Sequence, residues 1–280
     1  MKIGAVGDLH GEEPDIDREE MEKADFILAT GDFCAGRDEV RSLMFESIGE
    51  DWNWYEKMGE EQAKKEVKAS LDAGREVLEY LNSFGKPVYV VPGNWDWSGE
   101  IYSDWSYLNK DRFQELVDEF DNIHNINYTC SEDHRYSIIG YGPCSGPELP
   151  QYEEDMPKSQ EELEDLKQEF RETKKQLSKL YEQAENPVIF LSHNVPHDTS
   201  LDMIDNEESP KNGRHYGSVI VKELIEEKQP LLSVAGHMHE GYGIENIKNT
   251  SCLNAGLNAY GFINLNGENV EFTNFHPEIN

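Results

Sequence analysis

Residues 2–11 read KIGAVGDLHG, a short aliphatic run that stops abruptly in a small polar cluster. The same pattern recurs four times. Phe26–Ala29 precedes TGDFC, residues 87–91 precede PGNWDW, residues 188–191 precede SHNVP, and residues 231–235 precede GHMHE. Each run is β-branched or aliphatic and too short for a helix, so each reads as a strand buried on both faces. Tyr136–Tyr141 reads as a further strand. Residues 262–265, the turn NGEN and residues 270–275 read as a closing hairpin.

Helical spacing fills the gaps. Glu60–Asn82 carries Val67, Leu71, Leu78 and Leu81 on one face, and residues 111–120 carry Phe113, Leu116, Val117 and Phe120. Residues 218–227 carry Val221, Leu224 and Ile225 and stop before Gln229 and Pro230. Strands alternating with helices predict an α/β fold. Two segments interrupt the alternation. Residues 37–59 hold Trp52, Trp54 and Tyr55 amid acidic neighbours, and residues 159–185 space Leu163, Leu166, Phe170, Leu177 and Leu180 like heptads. The expectation is one domain over 1–280 with helical insertions at about 37–82 and 151–186. A surface helix packing its stripe on its own domain is the simplest account of the second insertion. An active-site lid or a homo-oligomer contact is the alternative.

Composition narrows the function classes. Hydrophobic residues make up 37% of the 280, enough for a folded core in a chain of this length. Twenty-five basic against 57 acidic side chains leave a net charge of −32. That self-repulsion weakens the compact state in dilute buffer, and molar salt, with a screening length of about 3 Å, removes most of it. We read the acidity as halophilic, an adaptation to a salty cytoplasm, with an ordinary acidic protein as the alternative. An acidic surface argues against nucleic acid as a partner, because duplex binding needs Lys and Arg facing phosphates. Cys34, Cys130, Cys144 and Cys252 form no CxxC pair and read as free thiols of a reducing compartment. The N-terminus enters a strand at once, and no apolar stretch approaches the roughly 20 residues needed to cross a bilayer. The expectation is a soluble cytoplasmic protein without a membrane partner.

Five strand ends carrying Asp, Asn or His need a cause. In an extended segment residues i and i+2 share a side, so Asp8 and His10 can reach one ion, and so can His237 and His239 if their segment stays extended. Glycines at 7, 11, 31, 93 and 236 remove side-chain bulk where the backbone turns beside such ions. In open α/β sheets, ligands gather beyond the carboxyl ends of strands. A lone DxH or GHxH carries little information, but their ordered recurrence carries a great deal.

With these residues in view, the chain resembles the calcineurin-like metallophosphoesterase superfamily. The family pattern DxH, GDxx, GNH[DE], a lone His and GHxH stands here as Asp8-Leu9-His10, Gly31-Asp32-Phe33, Gly93-Asn94-Trp95-Asp96, Ser192-His193-Asn194 and Gly236-His237-Met238-His239. The resemblance implies a four-layer α/β/β/α sandwich of two mixed sheets. It implies that Asp8, His10, Asp32 and His239 hold one divalent ion, and that Asp32 bridges to a second held by Asn94, His193 and His237. Mixed oxygen and imidazole ligands suit Mn²⁺ first, with Fe, Ni²⁺, Co²⁺ or Zn²⁺ as alternatives. Such a pair can activate a bridging hydroxide for in-line attack on a small phosphate-ester substrate. A phosphodiesterase is expected ahead of a monoesterase. A non-catalytic metal-binding scaffold and a nuclease of the same superfamily are the competing readings.

One position departs from the pattern. Trp95 stands where many relatives place a histidine thought to protonate the leaving group, and indole does not titrate near neutral pH. Asp96 reads either as a carboxylate orienting a ligand imidazole or as a turn cap. A replacement donor could come from SHNVPHDTSLD, where His197 and Asp198 follow His193, or from NGRHYGSVIV, where Arg214, His215 and Ser218 precede a predicted helix. A helix start offers free N–H groups to an anion. Trp95, with Trp97 beside it, could flank a flat substrate. Trp95, His197, Arg214, His215 and Ser218 are therefore the substrate-binding candidates, and Asp32, Asn94 and His215 the catalytic ones. The plainer account makes Ser218 a helix cap and leaves Arg214 and His215 on a solvated loop.

Overall fold

The computed structural model describes residues 1–47, 50–99, 105–133 and 135–277. The chain runs β1 (Lys2–Val6), α1 (Arg18–Met21), β2 (Phe26–Ala29), α2 (Asp38–Ser47), α3 (Trp54–Met58), α4 (Glu60–Asn82), β3 (Val88–Val90) and α5 (Arg112–Val117). It continues through β4 (Ile123–Asn125), β5 (Cys130–Asp133), β6 (Tyr136–Tyr141), α6 (Gln160–Gln183), β7 (Val188–Asn194) and α7 (Val219–Lys228). It ends with β8 (Leu232–Gly236), β9 (Gly243–Ile247), β10 (Thr250–Asn254), β11 (Tyr260–Asn266) and β12 (Asn269–His276).

These strands form two six-stranded mixed sheets, ordered β12-β11-β1-β2-β3-β4 and β5-β6-β7-β8-β10-β9. Strand alternation explains the layering. Ile3 and Ala5 of β1 and Phe26 and Leu28 of β2 pack with Ile138, Ile189, Leu191, Leu232 and Val234 of the other sheet, which fills the space between the sheets. The intervening Val6, Ile27 and Ala29 turn outward to Val67, Val77, Leu78 and Leu81 of α4. On the far side, Ile139 and Phe190 turn outward to Val221, Leu224 and Ile225 of α7. Strands buried on both faces account for the unbroken apolar runs in the sequence. The four layers are α/β/β/α, as the resemblance implies.

Local chemistry sets the helix ends. α6 opens with a capping box, in which the Ser159 hydroxyl accepts from the Glu162 N–H and Glu162 reaches back to the Ser159 N–H. The long helix over 60–82 stands where its periodicity predicts. The helix expected over 111–120 is shorter, because Asp111 is its N-cap and accepts from the Gln114 N–H. β4, β5, β9 and β10 carry no signal that periodicity could detect; β4 and β5 are sheet edges with exposed polar positions. The segment 37–82 holds α2, α3 and α4 over the outer face of the first sheet, with residues 48–49 outside the described part. α6 lies over the second sheet with Leu177 buried, and Lys174 reaches Glu223 and Glu227 of α7, at 2.6 Å each. All four cysteines are free, and Cys34, Cys144 and Cys252 are buried. Among the described residues no helix is long and apolar enough to cross a membrane.

Candidate metal centre

The parallel strands β1, β2 and β3 of one sheet and β7 and β8 of the other deliver their carboxyl ends to a common edge. Asp8 follows β1, Asp32 follows β2, Asn94 follows β3, His193 closes β7, and His237 follows β8. Close packing at this edge demands glycine. A Cβ at Gly93 would lie 2.2 Å from Asp32 Oδ1, and one at Gly236 would lie 2.3 Å from Asp8 Oδ1.

Two ligand groups result. Asp8, His10 and His239 bring one ligand atom each to within 4.8 Å of one another, and so do Asp32, His193 and His237. Each group could hold a metal ion. His237 and His239 therefore fall in different groups, the allocation the resemblance implies; only an extended segment would have put them on one side. The segment does not stay extended: His237 has φ 67° and His239 opens a 3₁₀ turn over His239–Gly241. Backbone curvature separates the two rings.

Asp32 joins the groups. Its Oδ2 lies 3.8 Å from His10 Nε2 and 3.6 Å from His193 Nε2, while its Oδ1 accepts the Trp95 N–H at 2.7 Å. Asn94 Oδ1 lies 3.0 Å from His193 Nε2. His193 Nδ1 lies 2.8 Å from the Thr30 carbonyl oxygen, which can only accept, so Nδ1 carries the proton. In the neutral ring Nε2 then presents a lone pair to two oxygens, an arrangement a cation between them makes favourable. His10 Nε2 is buried with no hydrogen-bond partner, which also suits a ligand atom. His237 gives Nε2 to the Ser145 carbonyl at 3.1 Å, leaving Nδ1 with its lone pair. The donor set fits divalent cations.

The electrostatics agree. Burial pushes the Asp32 carboxyl well above the usual range, with the neighbouring Asp8 charge adding to it. Asp8 is held low: burial opposes this, but His239, His193 and His10 outweigh it. Burial takes His10 down to about 4 and His237 down to about 3, so both rings are neutral and need release no proton to bind a metal. His239 is raised in spite of its burial, because Nε2 lies 3.3 Å from Asp8 Oδ2. Asp8 also accepts from the Thr30 hydroxyl at 2.9 Å and from the His237 N–H at 2.5 Å.

The substrate-binding candidates fare differently. Trp95 is 8% exposed and packs beside Gly36 and Arg41, so its ring offers little surface to a flat substrate. Trp97 is buried and donates its indole N–H to Ser70, so it flanks no substrate. Among the described residues Asp96 orients no imidazole. Its carboxylate accepts from the Gly93 and Cys34 N–H groups, tying the GNWD turn to the TGDFC turn. Burial, with Asp32 nearby, raises that carboxyl to about 7.

Ser218 is also a correction. It is fully buried, caps α7 by accepting from the Val221 N–H, and donates to Glu148. The Glu148 carboxylate accepts from the Val219 and Ile220 N–H groups at 2.9 and 3.2 Å. The anion at this helix start comes from the chain itself, which leaves no room there for a substrate phosphate. Arg214 pairs with Glu154 and lies over the Tyr152 ring, 4.9 Å from its centroid. His215 and His197 both turn to Asp202, with His215 Nδ1 2.7 Å from Oδ1 and His197 Nδ1 3.3 Å from Oδ2. Asp202 is fully buried and escaped the sequence reading, because one Asp in a polar loop carries no pattern. Behind Ser145 lies a cavity of about 370 Å³, lined in part by Tyr128, Tyr141, Cys144, Glu148, Leu166 and Phe170.

Known proteins supply the family. The calcineurin-like phosphoesterase model matches residues 1–241. No curated protein matches. One crystal structure superposes with a TM-score of 0.64 at 15% identity, covering 97% of this chain and 98% of its own. The crystal structure of TT1561 of Thermus thermophilus gives 0.49 at 18% identity, covering 98% of each chain. At such identity the first neighbour speaks for the fold alone. The family match takes in every strand end that carries a candidate ligand, and the chain belongs to the calcineurin-like phosphoesterases.

Proposed function

We propose that this protein hydrolyses phosphate esters, phosphodiesters ahead of monoesters, with two divalent cations held side by side. Asp32 carries this reading: one of its carboxylate oxygens stands between His10 of one ligand group and His193 of the other. Asp8, His10 and His239 would hold one ion, Asn94, His193 and His237 the other, and Asp32 would touch both. Mn²⁺ is the first choice, with Fe, Ni²⁺, Co²⁺ or Zn²⁺ able to fill the same oxygen and nitrogen set. Bound cations supply Lewis acidity toward phosphate oxygens and ease deprotonation of the attacking water.

The chain's own groups prepare the site. Thr30 sets the His193 tautomer through its carbonyl and orients Asp8 through its hydroxyl. Ser145 sets His237 in the same way. Trp95 fixes Asp32 from the backbone, so the ligand carboxylate does not swing when substrate enters. A small phosphate ester suits the acidic chain better than a nucleic acid, and a cytoplasm rich in salt is the setting that the charge favours.

The test is turnover of Mn²⁺-loaded protein on aryl diesters and monoesters over a range of salt, beside Asp32→Ala. Diester cleavage that disappears in Asp32→Ala supports the proposal. Bound metal with no turnover on any ester sinks it in favour of a non-catalytic scaffold.

A further inference from the structure

Asp202 has more partners than a loop clamp needs. Its fully buried carboxylate accepts from the backbone N–H groups of Asp198, Thr199 and Gly217 at 3.1, 2.9 and 2.9 Å. Those bonds alone would hold the loop. One oxygen nevertheless bonds the His215 ring at Nδ1, at 2.7 Å, and the other lies 3.3 Å from His197 Nδ1 without hydrogen-bond geometry; the two ring centroids are 6.2 Å apart, edge to face. An acceptor on Nδ1 holds one proton there, so a second proton taken up by the ring sits on Nε2, and the His215 side chain is 27% exposed.

The cluster is wedged between the turns that carry the second metal group. Asn194, next to His193, donates to the Tyr216 carbonyl at 3.2 Å, and the Ser218 N–H donates to the Val195 carbonyl at 2.8 Å. On the other side Asn254 donates both to the Leu201 carbonyl and to the carbonyl of Met238, between His237 and His239. Gly241, at the end of that turn, packs so closely that a Cβ would fall 1.9 Å from the Leu201 oxygen. Asp202 is also held down at about 2: burial opposes this, and His197, the Thr199 N–H, His215 and the Gly217 N–H overcome it.

We propose that His215 donates the proton to the leaving-group oxygen and that Asp202 positions it, the pair standing in for the histidine replaced by Trp95. This rests on the phosphoesterase reading above. Water oxygen bonds to phosphorus, and the bond from phosphorus to the leaving oxygen breaks with its electron pair on that oxygen. His215 gives that oxygen its Nε2 proton, and the proton released by the attacking water restores the imidazolium. His215 is the catalytic residue in this step, and Asp202 is a positioning residue.

The experiment compares wild type, His215→Ala and Asp202→Asn, each with its Mn²⁺ content measured, on two diesters. One has a 4-nitrophenyl leaving group that departs unaided, the other an alkyl leaving group that does not. His215→Ala should lose about 10²-fold or more in kcat on the alkyl diester, with KM and metal content held, and little on the 4-nitrophenyl diester. Added imidazole should restore part of the loss. Asp202→Asn should show the same selectivity, and the hydrogen-bonded His215 Nδ1–H proton resonance of the wild type should vanish in it. Equal losses on both diesters, no loss in His215→Ala, or a resonance unchanged in Asp202→Asn overturns the assignment. Failure of wild type on both diesters and on 4-nitrophenyl phosphate overturns the phosphoesterase reading itself, an outcome distinct from equal losses in an active enzyme.

Discussion

The backbone N–H of Trp95 donates to Asp32 Oδ1 at 2.7 Å, so the residue that breaks the family's GNH pattern still orients a carboxylate that lies beside both His10 and His193. A backbone donor survives any side chain except proline. The bond that orients Asp32 therefore survives the departure at this position.

Trp95→Ala follows from that bond. The ring is 8% exposed and packed, so its removal should cost about 3–5 kcal/mol of stability. Metal content of the folded variant should stay at the wild-type value. Chemical denaturation and metal analysis on the same samples check both, and loss of metal from folded Trp95→Ala would count against the backbone role.

Thr30→Val removes a hydroxyl that touches no ion but orients Asp8 at 2.9 Å. Affinity for the ion in the group of Asp8, His10 and His239 should fall by about 10–100-fold. The second group should bind as before, since its contact with Thr30 is through the carbonyl oxygen. Isothermal titration with Mn²⁺ separates the two.

Asp202 predicts a pH effect with a definite sign. Its folded value of about 2 lies below the ordinary 3.8, so the folded state binds its proton less readily than the unfolded chain. The stability this contributes is fully present above pH 3.8 and is lost as pH falls through about 2. Asp202→Asn should be less stable at neutral pH and lose less on acidification. Urea unfolding across the acid range measures the difference.

The charge of −32 predicts that the melting temperature rises as KCl is raised from 0.1 M to 1 M. Over that range the screening length shrinks from about 10 Å to about 3 Å. Charge-neutral osmolytes should not reproduce the full rise. A melting temperature indifferent to salt would remove the basis for a halophilic reading.

Strand ends such as Ala29 before Asp32 and Val90 before Asn94 were legible because each candidate ligand follows its apolar run within a few residues. The edge strands β4, β5 and β9 were not, since half-exposed edges lack the unbroken apolar signature, and β10, though internal, is a short TSCLN segment with polar ends. Ser218 shows the limit of local reasoning most clearly. Its place before a helix was readable, but Glu148, which occupies that helix start, lies 70 residues away.

The sequence by itself determined the α/β alternation, the chemical types of the ligands and their order at successive strand ends. These are local properties, set by side-chain periodicity and by which residues adjoin a strand. Only the tertiary structure decided that Glu148 occupies the start of α7, that the Trp95 backbone orients Asp32, and that Asp202 gathers His197 and His215. Such relations depend on how distant segments curve and pack at one edge of two sheets, and a positive φ at His237 is enough to overrule simple alternation.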